Sequence, residues 1–137
     1  MPNPRRAARQ IANECYGVRV RALSRVVSRI YDEELRHLGI KMSQLNVLVF
    51  ATLRPGSRAA DVGERLHIEK STVSRNLARM ESRGWIKTSD GITVTRAGEQ
   101  LFEQAVPAWR RAQKRVRAEL GVAAAESLVS AADELLG

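Results

Sequence analysis

From Arg6 to Leu38 no proline interrupts the chain, and Val20, Leu23, Val27, Ile30, Tyr31, Leu35 and Leu38 recur three and four residues apart. Positions so spaced fall on one side of an α-helix, so the stretch predicts one long helix that stops at Gly39. Cys15, Val18, Ala22 and Val26 form a second apolar line on another side. A helix apolar on two sides touches its own core with one of them and a second body, such as a partner subunit, with the other. The two prolines among residues 1–5 predict a loose lead-in. Ser43 predicts the cap of a second helix running to about Leu53, with Leu45, Leu48, Val49 and Leu53 inward. Arg54-Pro55-Gly56-Ser57 is a turn. A short helix over 59–66 follows, with Val62 and Leu66 apolar, then a connection at 67–70 and another helix over 71–83, closed by Gly84.

The period then changes. Trp85-Ile86-Lys87-Thr88-Ser89 and Ile92-Thr93-Val94-Thr95 are rich in β-branched and aromatic residues and flank Asp90-Gly91, which predicts a hairpin with a type I′ turn. Thr95 can cap the next helix, whose inward stripe reads Leu101, Ala105, Trp109, Ala112, Val116 and Leu120. Pro107 lies inside it and predicts a kink or a later start. Beyond Gly121, Ala124, Leu128, Ala131 or Ala132 and Leu135 outline a last helix. The order describes a mainly α chain with a small β-hairpin wing, a winged helix-turn-helix whose core covers about 43–95. Nothing in the 137 residues marks a second domain.

Composition narrows the partners. The formal charge of +8 favours an anionic partner: nucleic acid, an acidic membrane surface or an acidic protein. No apolar run approaches ~20 residues, so nothing predicts a membrane span, and Met1-Pro2-Asn3-Pro4-Arg5-Arg6 does not begin a signal peptide. The single cysteine excludes an internal disulfide and fits a cytoplasmic setting.

The helix over 71–83 carries the chemistry. At about 100° per residue, Val73, Leu77 and Met80 share one side, while Ser71, Thr72, Arg75 and Arg79 fall in an arc opposite, flanked by Ser74 and Asn76. Arginine can bond guanine through two donors, asparagine can do the same to adenine, and hydroxyls and N-terminal amides suit phosphate oxygens. A polar helix face alone is merely solvated. This one follows a short helix, precedes a hairpin and belongs to a basic chain, which together read as a major-groove helix. Lys70 at its start, with Lys87 and Ser89 in the hairpin, completes the candidate DNA-contacting set.

The stretch from Ala60-Asp61-Val62-Gly63-Glu64-Arg65-Leu66 through Lys70-Ser71-Thr72-Val73-Ser74-Arg75-Asn76-Leu77 to Arg83-Gly84-Trp85-Ile86 resembles the helix-turn-helix of the MarR family of transcriptional regulators. Ser24-Arg25 to Tyr31-Asp32, Leu38-Gly39-Ile40 to Gln44 and Thr93-Val94-Thr95-Arg96-Ala97-Gly98 are also similar, so the likeness spans about 11–120. It implies a bacterial-type homodimeric repressor with interleaved dimerisation helices from both chain ends (about 6–38 and 96–137). It further implies palindromic double-stranded operator binding and, often, release by a small molecule. One departure stands out: wings of the family carry a longer loop with an Asp-x-Arg element whose arginine enters the minor groove, whereas here the tip is Ser89-Asp90-Gly91. Weaker minor-groove reading and greater reliance on Arg75 and Arg79 are expected. Arg5, Arg6 and Arg9 form a candidate basic arm, although terminal charge runs are mostly solvated.

Cys15 invites a redox role. In the family's hydroperoxide-sensing branch, however, the cysteine stands two residues closer to the position of Tyr31, and a tyrosine stands where Met42 is. The residue therefore reads first as a small apolar core or interface group. His37 and His67 have no metal-binding company, and no cofactor is implied. The family's ligand pocket lies between the first helices and the long one, which makes Arg25, Gln44 and Trp109 candidate effector contacts, Trp109 reading otherwise as core. No paired carboxylates, nucleophile triad or phosphate loop argues for an enzyme. Two other readings stay open, an architectural DNA binder with little sequence choice and a winged helix that docks an acidic protein.

Overall fold

A computed structural model describes residues 3–137. Helix α1 (Pro4–Glu14) leads to α2 (Tyr16–Leu35), a 3-10 turn (Arg36–Leu38), α3 (Met42–Leu53), α4 (Ala59–Leu66) and α5 (Lys70–Ser82). Strands β1 (Ile86–Lys87) and β2 (Thr93–Val94) then precede α6 (Arg96–Leu120) and α7 (Val122–Leu136). This is the mainly α winged helix-turn-helix expected, with differences at several joints.

The expected single helix over 6–38 is broken at Cys15, whose φ of −68° and ψ of 116° are extended. The Arg19 guanidinium spans the break, donating to Asn13 O, which loses its helical partner there, and to Cys15 O at the start of α2. The chain start is not loose over the described residues: Asn3 Oδ1 accepts from the Arg5 amide at 3.0 Å, and Pro4 sits in the first turn, where its missing N–H costs nothing. Residues 1 and 2 of that expected lead-in lie outside the described residues. Helix α3 starts before Ser43, which is therefore not its cap. Its first amides go instead to Asp32 Oδ1 (from Met42, 2.8 Å) and Gln44 Oε1 (from Lys41, 3.1 Å).

The main core joins Leu35, Ile40, Leu48, Val62, Val73, Met80 and Ile86 beneath the hairpin. Helix α3 runs through its middle and is covered on most sides, so Val47, Phe50 and Ala51 are buried while Val49 and Leu53, expected inward, lie on the open strip. Helix α6 passes through Pro107 as one element, without the later start considered from the sequence. Its inward line is Leu101, Ala105, Ala108, Ala112 and Val116. Trp109, placed in that line by the sequence reading, is 42% exposed because Ala108 takes the inward turn. Small residues at 105, 108 and 112 let α2 and α3 approach closely, and Ile30 and Tyr31 pack on Ala112 and Val116.

Polar ties reinforce the α2–α6 seam. Arg111 donates to Glu34 at 3.0 Å, Arg115 reaches Glu33 at 2.9 Å and Glu34 at 3.3 Å, and the Tyr31 hydroxyl donates to Gln113 Oε1. The Arg111 hydrogen bond, with help from Arg115, holds the Glu34 carboxyl below the usual carboxylate range against a smaller opposing effect of burial. A carboxylate lowered by folding stabilises above its unfolded pKa and loses that contribution as pH falls through the folded one. Arg111→Ala is therefore expected to make the melting temperature fall less steeply on acidification through and below 4.5, the carboxyl's ordinary value. Calorimetry across that range checks it; an unchanged slope would contradict the pairing.

Much apolar surface at the two chain ends has no cover. Helices α1 and α7 bury no residue. Val18 and Val26 of the second apolar line are exposed, and so is Val20, which the periodicity had placed inward. Of the expected α7 stripe, Ala124, Leu128 and Leu135 are exposed and Ala132 is half-buried, as is Ala125. Tyr16 is 86% exposed and Leu135 83%. Among the described residues no helix is long and apolar enough to cross a membrane.

Candidate nucleic-acid interface

Helix α4 ends at His67, which takes the left-handed conformation at φ 54°, and the Ile68 amide closes onto Gly63 O at 3.0 Å. The turn lies so near Gly63 that a Cβ there would stand 3.1 Å from Ile68 O. The chain re-enters a helix at Lys70, one residue earlier than the sequence predicts. Val73, Leu77 and Met80 are buried, which locks the rotation of α5 about its axis. The opposite side leaves Lys70, Ser71, Ser74, Arg75 and Arg79 exposed, with Thr72 half-buried. Arg75 donates to Thr72 Oγ1 at 3.3 Å, a local contact that a bound base or phosphate can replace.

Asn76 does not join this face. It is 9% exposed, on the inner flank between Val73 and Met80, so its amide is withdrawn from any external base edge. A residue the sequence reading treated only as a helix end matters more. Arg83 donates to Gly39 O at 3.1 Å and lies over the Trp85 ring, 5.2 Å from its centroid. It clamps the end of α5 to the link between α2 and α3. The Arg83-Gly84-Trp85 order was visible in the sequence; the distant carbonyl was not.

The hairpin pairs Ile86 with Val94 and Lys87 with Thr93. Its connection is not the two-residue type I′ turn expected. Such a turn needs positive φ at both central residues; Gly91 has φ 82°, but His67 is the one non-glycine residue with positive φ among those described, so Asp90 does not. Ile92 turns away to bond Ser57, its amide donating to Ser57 O at 2.7 Å. Lys87 and Ser89 are both exposed. At the hairpin's exit Thr95 Oγ1 donates to Gly84 O at 2.5 Å and accepts from the Gly98 amide at 3.1 Å, so the cap read from the sequence is present.

The three candidate effector contacts are not brought together. Arg25 lines an open cleft of about 620 Å³ with Ser28, Arg29, Asp32 and Arg36. Trp109 lines a separate apolar pocket of about 240 Å³ with Leu45, Val49, Phe102 and Val106. Gln44 is buried, with its side-chain oxygen held by the Lys41 amide, and lines neither. Cys15 sits half-buried at the helix break. Among the described residues no group of histidine, cysteine and carboxylate side chains is placed to hold a metal.

Comparison with known proteins bears on this arrangement. Residues 38–96, from the end of the 3-10 turn to the start of α6, match the sequence model of the MarR family. The HTH-type transcriptional regulator YwoH of Bacillus subtilis, itself uncharacterised, is 26% identical over 89 residues. That match covers 59% of this chain and 64% of YwoH, less than two thirds of the relative's length. The transcriptional regulator MosR of Mycobacterium tuberculosis superimposes with a TM-score of 0.74 at 27% identity, covering 88% of this chain and 96% of MosR. MosR in complex with DNA gives 0.70 at 28%, covering 88% and 97%. The repressor CouR bound to p-coumaroyl-CoA gives 0.79 over 88% of this chain and 90% of its own, at 19% identity a likeness of fold alone. Residues 38–96, the winged helix-turn-helix, are thus similar to the MarR family, and the solved MosR structures share the fold around them.

Proposed function

We propose that this protein is a sequence-specific transcriptional regulator that binds double-stranded DNA as a homodimer and represses from a palindromic operator until a small molecule releases it. The observation that carries the reading is the rotation of α5: its buried side leaves Ser71, Ser74, Arg75 and Arg79 presented together to solvent. Guanidinium forks and hydroxyls on an exposed helix of a +8 chain suit a major groove. The MosR–DNA complex supports the choice of partner, and the ligand-bound CouR supports a small-molecule effector. The effector would enter one of two separate openings, the polar cleft of Arg25 between α2 and the link to α3 or the apolar pocket of Trp109 between α3 and α6.

Selection of bound sequences from a random duplex pool, followed by salt titration, tests the reading. One palindromic motif is expected, with affinity falling linearly in log–log against salt as phosphate counterions are released. Equal affinity for unrelated duplexes would favour an architectural protein, and no binding at low salt would favour a protein-docking role. Dimerisation is supported by the uncovered apolar faces of α1, α2 and α7. Leu128→Glu combined with Leu135→Glu is expected to give a monomer in sedimentation and to abolish the preference for paired half-sites. A double variant that stays dimeric would place the interface elsewhere.

A further inference from the structure

We propose that the hairpin is a fixed strut that reads no bases, so that sequence discrimination is confined to the major-groove face of α5. This rests on the DNA-binding reading and adds where on the duplex the information is taken. The minor groove is about 6 Å wide and about 7.5 Å deep, and its hydrogen-bonding groups lie at the floor. A side chain that reads it must be a long donor or an apolar wedge. The loop between the strands is Thr88-Ser89-Asp90-Gly91-Ile92. It offers hydroxyls too short to reach the floor, a carboxylate that phosphates repel, a glycine, and an isoleucine buried in the core. The nearest cation, Lys87, precedes the loop with its backbone held in the ladder opposite Thr93, and its exposed ammonium is a point charge that suits a phosphate rather than a base edge.

The loop is also held against reshaping. On one side Glu81, in the last turn of α5, accepts from the Thr88 amide at 3.3 Å through one oxygen and from the Thr88 hydroxyl at 2.8 Å through the other. On the other side the Gly56 amide donates to Ile92 O at 2.9 Å, and Ile92 donates to Ser57 O. Gly91 lies so close to Gly56 that a Cβ on it would stand 2.3 Å from the Gly56 carbonyl oxygen. The tip is thus tied to the recognition helix and to the turn before α4 together, and Glu81 is a positioning residue for it.

The test uses the full chain and a duplex obtained by selection. Replacing adenines that flank the α5 contact with 2,6-diaminopurine adds an amino group to the minor groove and leaves the major-groove edge unchanged. Affinity is expected to change by less than about twofold, because no base contact is altered. Replacing guanines under α5 with 7-deazaguanine, which removes a major-groove acceptor, is expected to cost about fivefold or more. A loss of about fivefold with diaminopurine overturns the strut while leaving DNA binding intact. Failure to retain any duplex during selection overturns both readings at once.

Discussion

Arg75→Ala is expected to weaken binding to the selected duplex by roughly 1–3 kcal/mol, about one to two orders of magnitude, with the melting temperature unchanged. The size follows from the geometry of the donor. A guanidinium can bond the two acceptors of a guanine edge in parallel; Arg79, the other exposed fork on α5, stands one turn away and meets a different position, and Asn76 is turned inward. The absence of a stability effect follows from its surroundings: Arg75 is exposed and its one tie is to the Thr72 hydroxyl on the same helix. Arg75→Lys is expected to recover little, since an ammonium is a point charge without the planar fork. Arg79, one turn further along α5, separates two roles. As a phosphate contact, its loss should weaken all duplexes alike and flatten the salt dependence by about one counterion; as a base contact, it should relax one position of the motif. Fluorescence anisotropy with matched and scrambled duplexes at fixed salt distinguishes these. An Arg75→Ala protein that binds the selected duplex as tightly as the parent would remove α5 from the interface.

The sequence made α5 legible because one strong periodic signal and one exposed face pointed the same way. Val73, Leu77 and Met80 had to go inside, which left Arg75 and Arg79 outside whatever the rest of the chain did. Asn76 failed for a geometric reason: it lies at the edge of the apolar arc, where the neighbouring layer rather than the wheel decides exposure. Trp109 and Ala108 compete for one inward turn of α6, and hydrophobicity favours the tryptophan. The close approach of α2 and α3 admits only the alanine, a distance that no local pattern contains. The hairpin's existence was plain from Trp85 to Thr95, but its turn was not, because Ile92 leaves the ladder to pair with Ser57, thirty-five positions earlier. The stripe on α7 was read correctly as apolar, and its leucines stand exposed on this chain. Periodicity shows that a face needs cover and does not show which molecule covers it. The effector contacts were the least legible, since Arg25, Gln44 and Trp109 were joined by resemblance alone and occupy different surroundings.

Gly98→Ala is expected to destabilise the fold at or beyond the upper end of the ~1–3 kcal/mol typical of overpacking. Propensity alone predicts the opposite sign, because Gly98 lies in the first turn of α6 and alanine favours helix by roughly 0.8–1 kcal/mol over glycine. Space decides the matter. A Cβ at Gly98 would stand 2.1 Å from Trp85 O and 2.7 Å from Val94 Cγ1. The valine can rotate, but the carbonyl cannot withdraw: it is backbone, and it accepts the Thr95 amide at 3.0 Å where the hairpin meets α6. Relief would have to separate β1 from the start of α6, carrying the Thr95 cap and the Ile86 core position with it. Gly84→Ala supplies the comparison. That glycine has φ +76°, yet a Cβ there meets nothing within 4 Å, so its cost is the left-handed backbone alone, roughly 1–2 kcal/mol. Urea unfolding of both variants should therefore rank Gly98→Ala well below Gly84→Ala in midpoint. The reverse order, or a stabilised Gly98→Ala, would mean that α6 does not press on the base of the hairpin. The hairpin would then be free to move relative to the helix that sets its position beside α5.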